Sequence, residues 1–312
     1  MIRPLHPTDM PSYMAFANKA CSGDGPQACE TGHASSRLLR VLGGSLALDA
    51  PIHTWVYTEK RTIRGLVSIR NRRGAAVWQV ERLLGLPGHD MDCVLEDLLV
   101  HLAAVGADEG IQKVFLNLPS SSPLIPVARR AGFYGYTIER LYRGAGQGST
   151  GSADVPRVRR GLDNLALFEH YNRAVPLRVR QAEALTLQEW RWLDGWTPRR
   201  HWRLSLSRTR QDYLLERGDR VVAWLRVEPA RRVARVSLEE AQVSQQQTGD
   251  LLAFAIAHLP ASGSVYVPAR EYETSLESSL LQLGFSQIGE SVLTVKPLSV
   301  RVLDRCLIPA RA

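Results

Sequence analysis

Ala128-Arg129-Arg130-Ala131-Gly132-Phe133 and Leu280-Leu281-Gln282-Leu283-Gly284-Phe285 are the two stretches whose reading decides the fold. Each has the composition of a short helix that stops on a glycine, and each continues through an aromatic residue into a strand. Glycine just past a helix end adopts the left-handed backbone that terminates it. One junction standing twice in a single chain points to an old internal duplication.

Working outward from the first junction, Ile2 to Leu5 reads as a short strand. Thr8-Asp9-Met10-Pro11 reads as a capped helix start, with the helix running to about Lys19. Cys21 to Gly32 has loop composition, and Ser35 to Leu42 could form a second helix. Three β-branched or aromatic runs follow, Thr54–Thr58, Ile63–Ile69 and Ala76–Leu84, separated by short polar turns that predict an antiparallel meander. After Gly85-Leu86-Pro87-Gly88, the spacing of Leu95, Leu98, Leu99, Leu102 and Val105 predicts a long helix with one buried face. Lys113–Leu118 is a further strand, and Phe133–Leu141 is the strand after the junction. The second half repeats the programme: a helix over Leu162–Asn172, a short strand over Arg178–Ala182, and a helix over Thr186–Leu193. Strand residues then fall at Arg203–Leu206, Gln211–Glu216, Val221–Val227 and Val233–Leu238. A helix over Gly249–Leu259, the strand Ser264–Val267, a helix over Thr274–Leu283 and the strand Phe285–Val295 complete it. Ile2-Arg3 is paired here with Val179-Arg180. The fold class is therefore α/β, an α+β mixed sheet, in two tandem domains. They span 1–143 and 161–300, joined by a Gly/Ser-rich linker at 144–160 and followed by a tail at 301–312.

Length and composition agree. The 312 residues suit two domains, and 45% hydrophobic content fills ordinary cores. No apolar run approaches the ~20 residues of a membrane span, and Met1 to Leu5 gives no signal-peptide core. Cys21, Cys29, Cys93 and Cys306 form no CxxC pair and have no histidine at metal-ligand spacing. They read as thiols of a reducing cytoplasm, with no metal. The net charge of +8 rests almost wholly on arginine, since Lys19, Lys60, Lys113 and Lys296 are the only lysines. That balance suits an anionic partner. The arginines are scattered, however, and no nucleic-acid motif or basic stripe interleaved with aromatics is present.

The order of elements resembles the GNAT superfamily of acetyl-CoA-dependent N-acetyltransferases, once per half. Ile2 to Met10 is similar to that family's opening strand and turn, and the two Gly-Phe junctions are similar to the end of its last helix. The resemblance implies acetyl transfer from acetyl-CoA to an amine, on a small molecule or a peptide. The pantetheine arm would lie between splayed fourth and fifth strands, with the pyrophosphate on amides at the start of the following helix. It places Leu84, Gly85, Leu86, Gly88 and His89 at the cofactor turn and Glu81, on the fourth strand, as the base. Glu239 and Glu240 end the matching strand of the second half. The family's Arg/Gln-x-x-Gly-x-Gly/Ala loop is replaced by Leu86–Cys93 in the first half and Val243–Asp250 in the second. Neither last helix carries the family's tyrosine acid; Tyr134 and Tyr136 follow the first junction instead. A catalytically inactive tandem module, binding a ligand or acting as a scaffold, is the competing expectation. Of the two halves, the first is the expected cofactor binder, because its Gly85–Gly88 bend sits directly between a strong strand and a long helix.

Overall fold

A computed structural model of the chain describes residues 1–21, 52–60, 62–71, 76–88, 90–145, 155–188, 190 and 210–299. It divides into two compact units. Unit 1 comprises Met1–Tyr134 and Thr294–Ala312, and unit 2 comprises Gly135–Leu293.

Unit 1 runs β1 (Ile2–Pro4), α1 (Met10–Cys21), β2 (Ile52–Glu59), β3 (Thr62–Asn71), β4 (Val77–Gly85), α2 (Met91–Asp108), β5 (Lys113–Pro119) and α3 (Leu124–Arg130). Strands β1 to β4 are antiparallel neighbours, and β5 joins β4 in parallel. The end of the chain's last strand, β12 (Ser286–Pro297), closes the unit beside β5. There Thr294 Oγ1 donates to the Leu116 carbonyl at 2.6 Å, and the Leu298 amide donates to the Gln112 carbonyl at 2.8 Å. One face of the sheet packs on α2 and α3 through Val67, Ile69, Trp78, Leu83, Leu95, Leu98, Leu99 and Leu102. The other packs on α1 through Tyr13, Phe16, Val56, Ile63, Leu66 and Leu84.

Unit 2 contains β6 (Tyr134–Ala145), β7 (Arg157–Val158), α4 (Asn164–Ala174), α5 (Leu177–Glu183), β8 (Gln211–Arg217), β9 (Arg220–Glu228), β10 (Val233–Leu238), α6 (Gln245–Ala257), β11 (Ser264–Arg270) and α7 (Thr274–Gln282). Strands β7 to β10 are antiparallel neighbours, β11 is parallel to β10, and β6 pairs antiparallel with β11 from Glu139↔Arg270 to Ala145↔Ser264.

Both junctions behave as their residues dictate. Gly132 has φ 86° and Gly284 has φ 77°. The Phe133 amide donates to the Ala128 carbonyl, and the Phe285 amide to the Leu280 carbonyl, both at 2.9 Å. These are the six-to-one bonds of a Schellman ending. Both phenylalanines then enter the core. The domain openings also repeat. Arg3 makes a two-pronged bond to Asp9 at 2.6 and 2.7 Å, and Arg157 does the same to Asp163 at 2.8 and 2.9 Å. Each aspartate also accepts a backbone amide, from His6 and Arg160 respectively. The guanidinium hydrogen bonds hold both carboxyls below the usual aspartate range.

This repeat corrects one expectation. Val179-Arg180 is not the counterpart of Ile2-Arg3, and residues 178–182 are not a strand. They lie in α5, which starts after Pro176 and buries Val179 and Ala182. Alternating arginine and valine imitated a period of two, but the buried pair is three residues apart, as a helix requires. The counterpart of β1 is β7. A second correction concerns Gly144. It belongs to strand β6, and a Cβ there would stand 2.5–2.6 Å from the Phe285 ring. Close packing, not chain freedom, requires that glycine. The linker expected at 144–160 also reaches into β7 at Arg157–Val158. The helix expected at 35–42, the strand at 203–206, residues 146–154 of that linker and the tail at 301–312 lie outside the described residues. The helix expected over 186–193 lies only partly within them.

Candidate functional site

Parallel β4 and β5 share three register pairs, Val77↔Lys113, Trp78↔Val114 and Gln79↔Phe115, and then part. The side-chain amide of Gln79 reaches the Phe115 carbonyl at 3.4 Å, at the fork. Immediately beyond, the ladder between β3 and β4 slips, pairing Ser68 with Arg82 and Ile69 with Val80. Glu81 is the extra residue of a β-bulge, which locally bends its strand and re-aims its side chains. Val80 and Leu83 face α2. Arg82 faces α1, where its Nη1 donates to the Tyr13 hydroxyl at 3.1 Å. Glu81 meets Arg70 of β3, with Oε1 3.0 Å from Nε. Val67 and Ile69 face α2 and Leu66 faces α1, so alternation places Arg70 on the α1 face too.

The turn after β4 is tied down at Leu86, whose amide donates to the Arg64 carbonyl at 2.8 Å. Leu84 is buried against α1, and Leu86 packs beside it. Gly85 lets α2 begin directly over the strand end, for a Cβ there would lie 2.8 Å from Met91 Cγ and 3.3 Å from Leu95. Gly88 is exposed, with nothing within 4 Å of a built Cβ. His89 lies outside the described residues. Asp90 holds the N-cap position of α2 but makes no side-chain capping bond, so its carboxylate does not occupy the first-turn amides. Arg130 of α3 draws the nearby acids to itself, 2.7 Å from Glu96 and 3.7 Å from Asp92.

The corresponding place in unit 2 is built differently. Strands β10 and β11 part after one register pair, Val233↔Tyr266, and the β9–β10 ladder runs without a bulge. Ser244 caps α6: its Oγ accepts from the Gln247 amide at 3.3 Å, and Gln247 Oε1 accepts from the Ser244 amide at 3.1 Å. Arg217 adds bonds to the Gln242 carbonyl and Gln247. The side chain of Gln245 donates to the Ser275 carbonyl at 3.2 Å and Ser279 Oγ at 2.9 Å. Glu240 accepts from the Ser275 amide at 3.0 Å, and Glu239 pairs with Arg173 at 3.1 Å. The bonds of Gln245 and Glu240 tie the start of α6 and the exit of β10 to α7.

Sequence reading singled out the turn and Glu81. It missed Tyr13, Arg70 and Arg82, because one inserted strand residue decides which side chains share a face, and nothing in the residue types announces it. Ala128 stands four residues before Gly132 in α3 and is buried; Tyr134 is exposed, and Tyr136 packs within unit 2 against the cluster around Leu167. Among the described residues no group of three or more metal-ligating side chains occurs, and no helix is long and apolar enough to cross a membrane.

A parallel β4–β5 fork with a bulge on β4, a helix starting at the fork and the Gly-Phe junction together define the GNAT acetyltransferase fold, here in tandem. Solved structures bear this out. The chain is similar to a GCN5-related N-acetyltransferase from Sphaerobacter thermophilus, at TM-score 0.57 and 14% identity, over 97% of this chain and 96% of that one. It is similar to a tandem GNAT protein from the clavulanic acid biosynthesis pathway, at TM-score 0.54 and 14% identity, over 97% and 99%. It is also similar to a putative acetyltransferase from Pyrococcus horikoshii, at TM-score 0.52 and 12% identity, over 96% and 90%. No protein-family model matches the sequence, and no curated protein matches it either.

Proposed function

We propose that unit 1 is an acetyl-CoA-dependent N-acetyltransferase and that unit 2 is a non-catalytic partner module. The observation that carries this reading is the contrast at the strand fork. In unit 1 the fork opens at a bulge and leads to a helix start without a side-chain cap. In unit 2 the matching helix start is capped and tied to α7.

Acetyl-CoA fits the residues of unit 1. Leu84, Gly85, Leu86 and Gly88 form the turn that would receive its pyrophosphate on the first amides of α2, where the helix dipole favours an anion, and His89, next in sequence, is the remaining candidate. It supplies an acetyl thioester, whose C–S bond is exchanged for a C–N bond to the amine with release of the thiol. The chain's own part is proton handling and orientation. Glu81, held by Arg70, accepts the proton that the acceptor ammonium must lose, directly or through one water. The amine is carried by a small molecule or a peptide. Ala128 cannot act as an acid, so solvent protonates the departing thiolate.

Asp90 and Asp92 weaken anion binding, which sets the affinity at tens of micromolar, about 6–7 kcal/mol. Calorimetric titration with acetyl-CoA tests this. Gly88→Trp should abolish binding while leaving the fold intact, since a side chain at 88 meets open space. Equal binding by wild type and variant would move the site elsewhere. No binding by wild type at millimolar acetyl-CoA would make the whole chain a scaffold.

A further inference from the structure

The bulge on β4 brings two consecutive side chains to one region of the α1 face, and they are satisfied differently. Glu81 has a cation beside it, Arg70 at 3.0 Å. Arg82 is partly buried, and its side chain bonds the hydroxyl of Tyr13, which is itself only 6% exposed. Among the described residues no carboxylate lies within ion-pairing distance of Arg82. A guanidinium has five N–H donors and a permanent charge, and a neutral phenol oxygen satisfies one donor and none of the charge. Holding such a group partly out of water without a counter-ion costs free energy, which an anionic ligand would offset. The same face of unit 2 provides the contrast. Arg226 on β9 lies 2.8 Å from Asp212, and Arg159 lies 3.3 Å from the same carboxylate. Among the apolar side chains of this face there is also a polar pair: the hydroxyls of Thr54 on β2 and Ser68 on β3 lie 2.9 Å apart.

We propose that the acceptor of unit 1 is an amine that also carries an anionic group, a carboxylate or a phosphate, and that Arg82 receives that group while the amine lies at Glu81. This rests on the acetyl-transfer reading of unit 1. The planar fork of arginine matches both anions with paired hydrogen bonds. Tyr13 fixes the fork from α1 and does not neutralise it. Glu81 and Arg82 are adjacent in sequence, so amine and anion are separated by few bonds, as in an amino acid or an aminoalkyl phosphate.

The test uses the full chain and matched pairs of amines: standard amino acids against their carboxamides, and O-phosphoethanolamine against ethanolamine. Acetylation is measured with acetyl-CoA. Separately, without acetyl-CoA, modification of Arg82 by phenylglyoxal is mapped by mass spectrometry. The anionic member of at least one pair should be acetylated in preference to its neutral partner and should protect Arg82 severalfold. Arg82→Gln should raise KM for that amine roughly 10–100-fold with kcat little changed, and Arg82→Lys should restore part of it. Which pair responds separates carboxylate from phosphate. Equal use of neutral and anionic amines, or an unchanged KM in a folded Arg82→Gln variant, would overturn the proposal and leave acetyl transfer standing. Protection of Arg82 without acetylation of any amine would keep the anion site and remove acetyl transfer. Neither protection nor acetylation would remove both.

Discussion

His170 in α4 has no exposed surface; its Nδ1 lies 3.2 Å from the Val221 carbonyl and its Nε2 3.2 Å from Ser237 Oγ. A carbonyl can only accept, so Nδ1 carries the proton and Nε2 accepts from the serine hydroxyl. Burial pulls the imidazole down to about 4. As pH falls from ~6.5 to ~4, the unfolded chain binds a proton that the native chain refuses, and stability drops by roughly 3 kcal/mol over the window. Glu273, after β11, works in the opposite sense. Burial raises its carboxyl to about 7, so its contribution is complete in acid and is lost as pH rises through that value. It is partly exposed to solvent, which moderates the effect. In urea unfolding, going from pH 7 to pH 5 should therefore raise the stability of His170→Gln relative to wild type and lower that of Glu273→Gln. Parallel behaviour of the two variants would contradict both assignments.

The helices separate what periodicity can specify from what it cannot. Leu95, Leu98, Leu99 and Leu102 of α2 are buried as their spacing requires, with Leu98 fully inaccessible. Leu98→Ala should cost ~2–5 kcal/mol in chemical denaturation, and a loss under ~0.5 kcal/mol would mean that the packed face is elsewhere. Helix α6 has the same kind of buried face, but its character lies in its capping box. Ser244→Ala should cost about 1 kcal/mol and should free the Gln247 amide, detectable as faster hydrogen exchange in the first turn. Asp90→Ala at the start of α2 should change stability far less, because Asp90 makes no cap bond. Residues 178–182 are helical although their alternation suggests a strand. Seven residues are too few for residue type alone to separate a strand from a helix, and the buried pair Val179 and Ala182 resolved it.

At the scale of the molecule, each unit draws residues from both ends of the glycine-rich stretch: unit 2 includes β6, before it, and unit 1 includes Thr294–Pro297, long after it. Cleavage at a protease site inserted after Thr150 should therefore yield two fragments that co-elute in gel filtration and separate only in denaturant. Two freely separating, folded fragments would contradict this. The sequence by itself determined the order of the described elements of unit 1, the duplication, the Gly-Phe junctions and the turn between β4 and α2. All of these rest on local physics: glycine at positive φ, helical spacing of leucine, and the β-branched runs of strands. Only the tertiary structure decided that β6 pairs with β11, that Glu81 occupies a bulge beside Arg70, that Arg82 turns to Tyr13, and that the start of α6 is tied to α7. Each of these depends on partners distant in sequence. A strand carries no mark of its neighbour, and a single-residue shift of register reverses every face, so these facts exist only once the chain has folded.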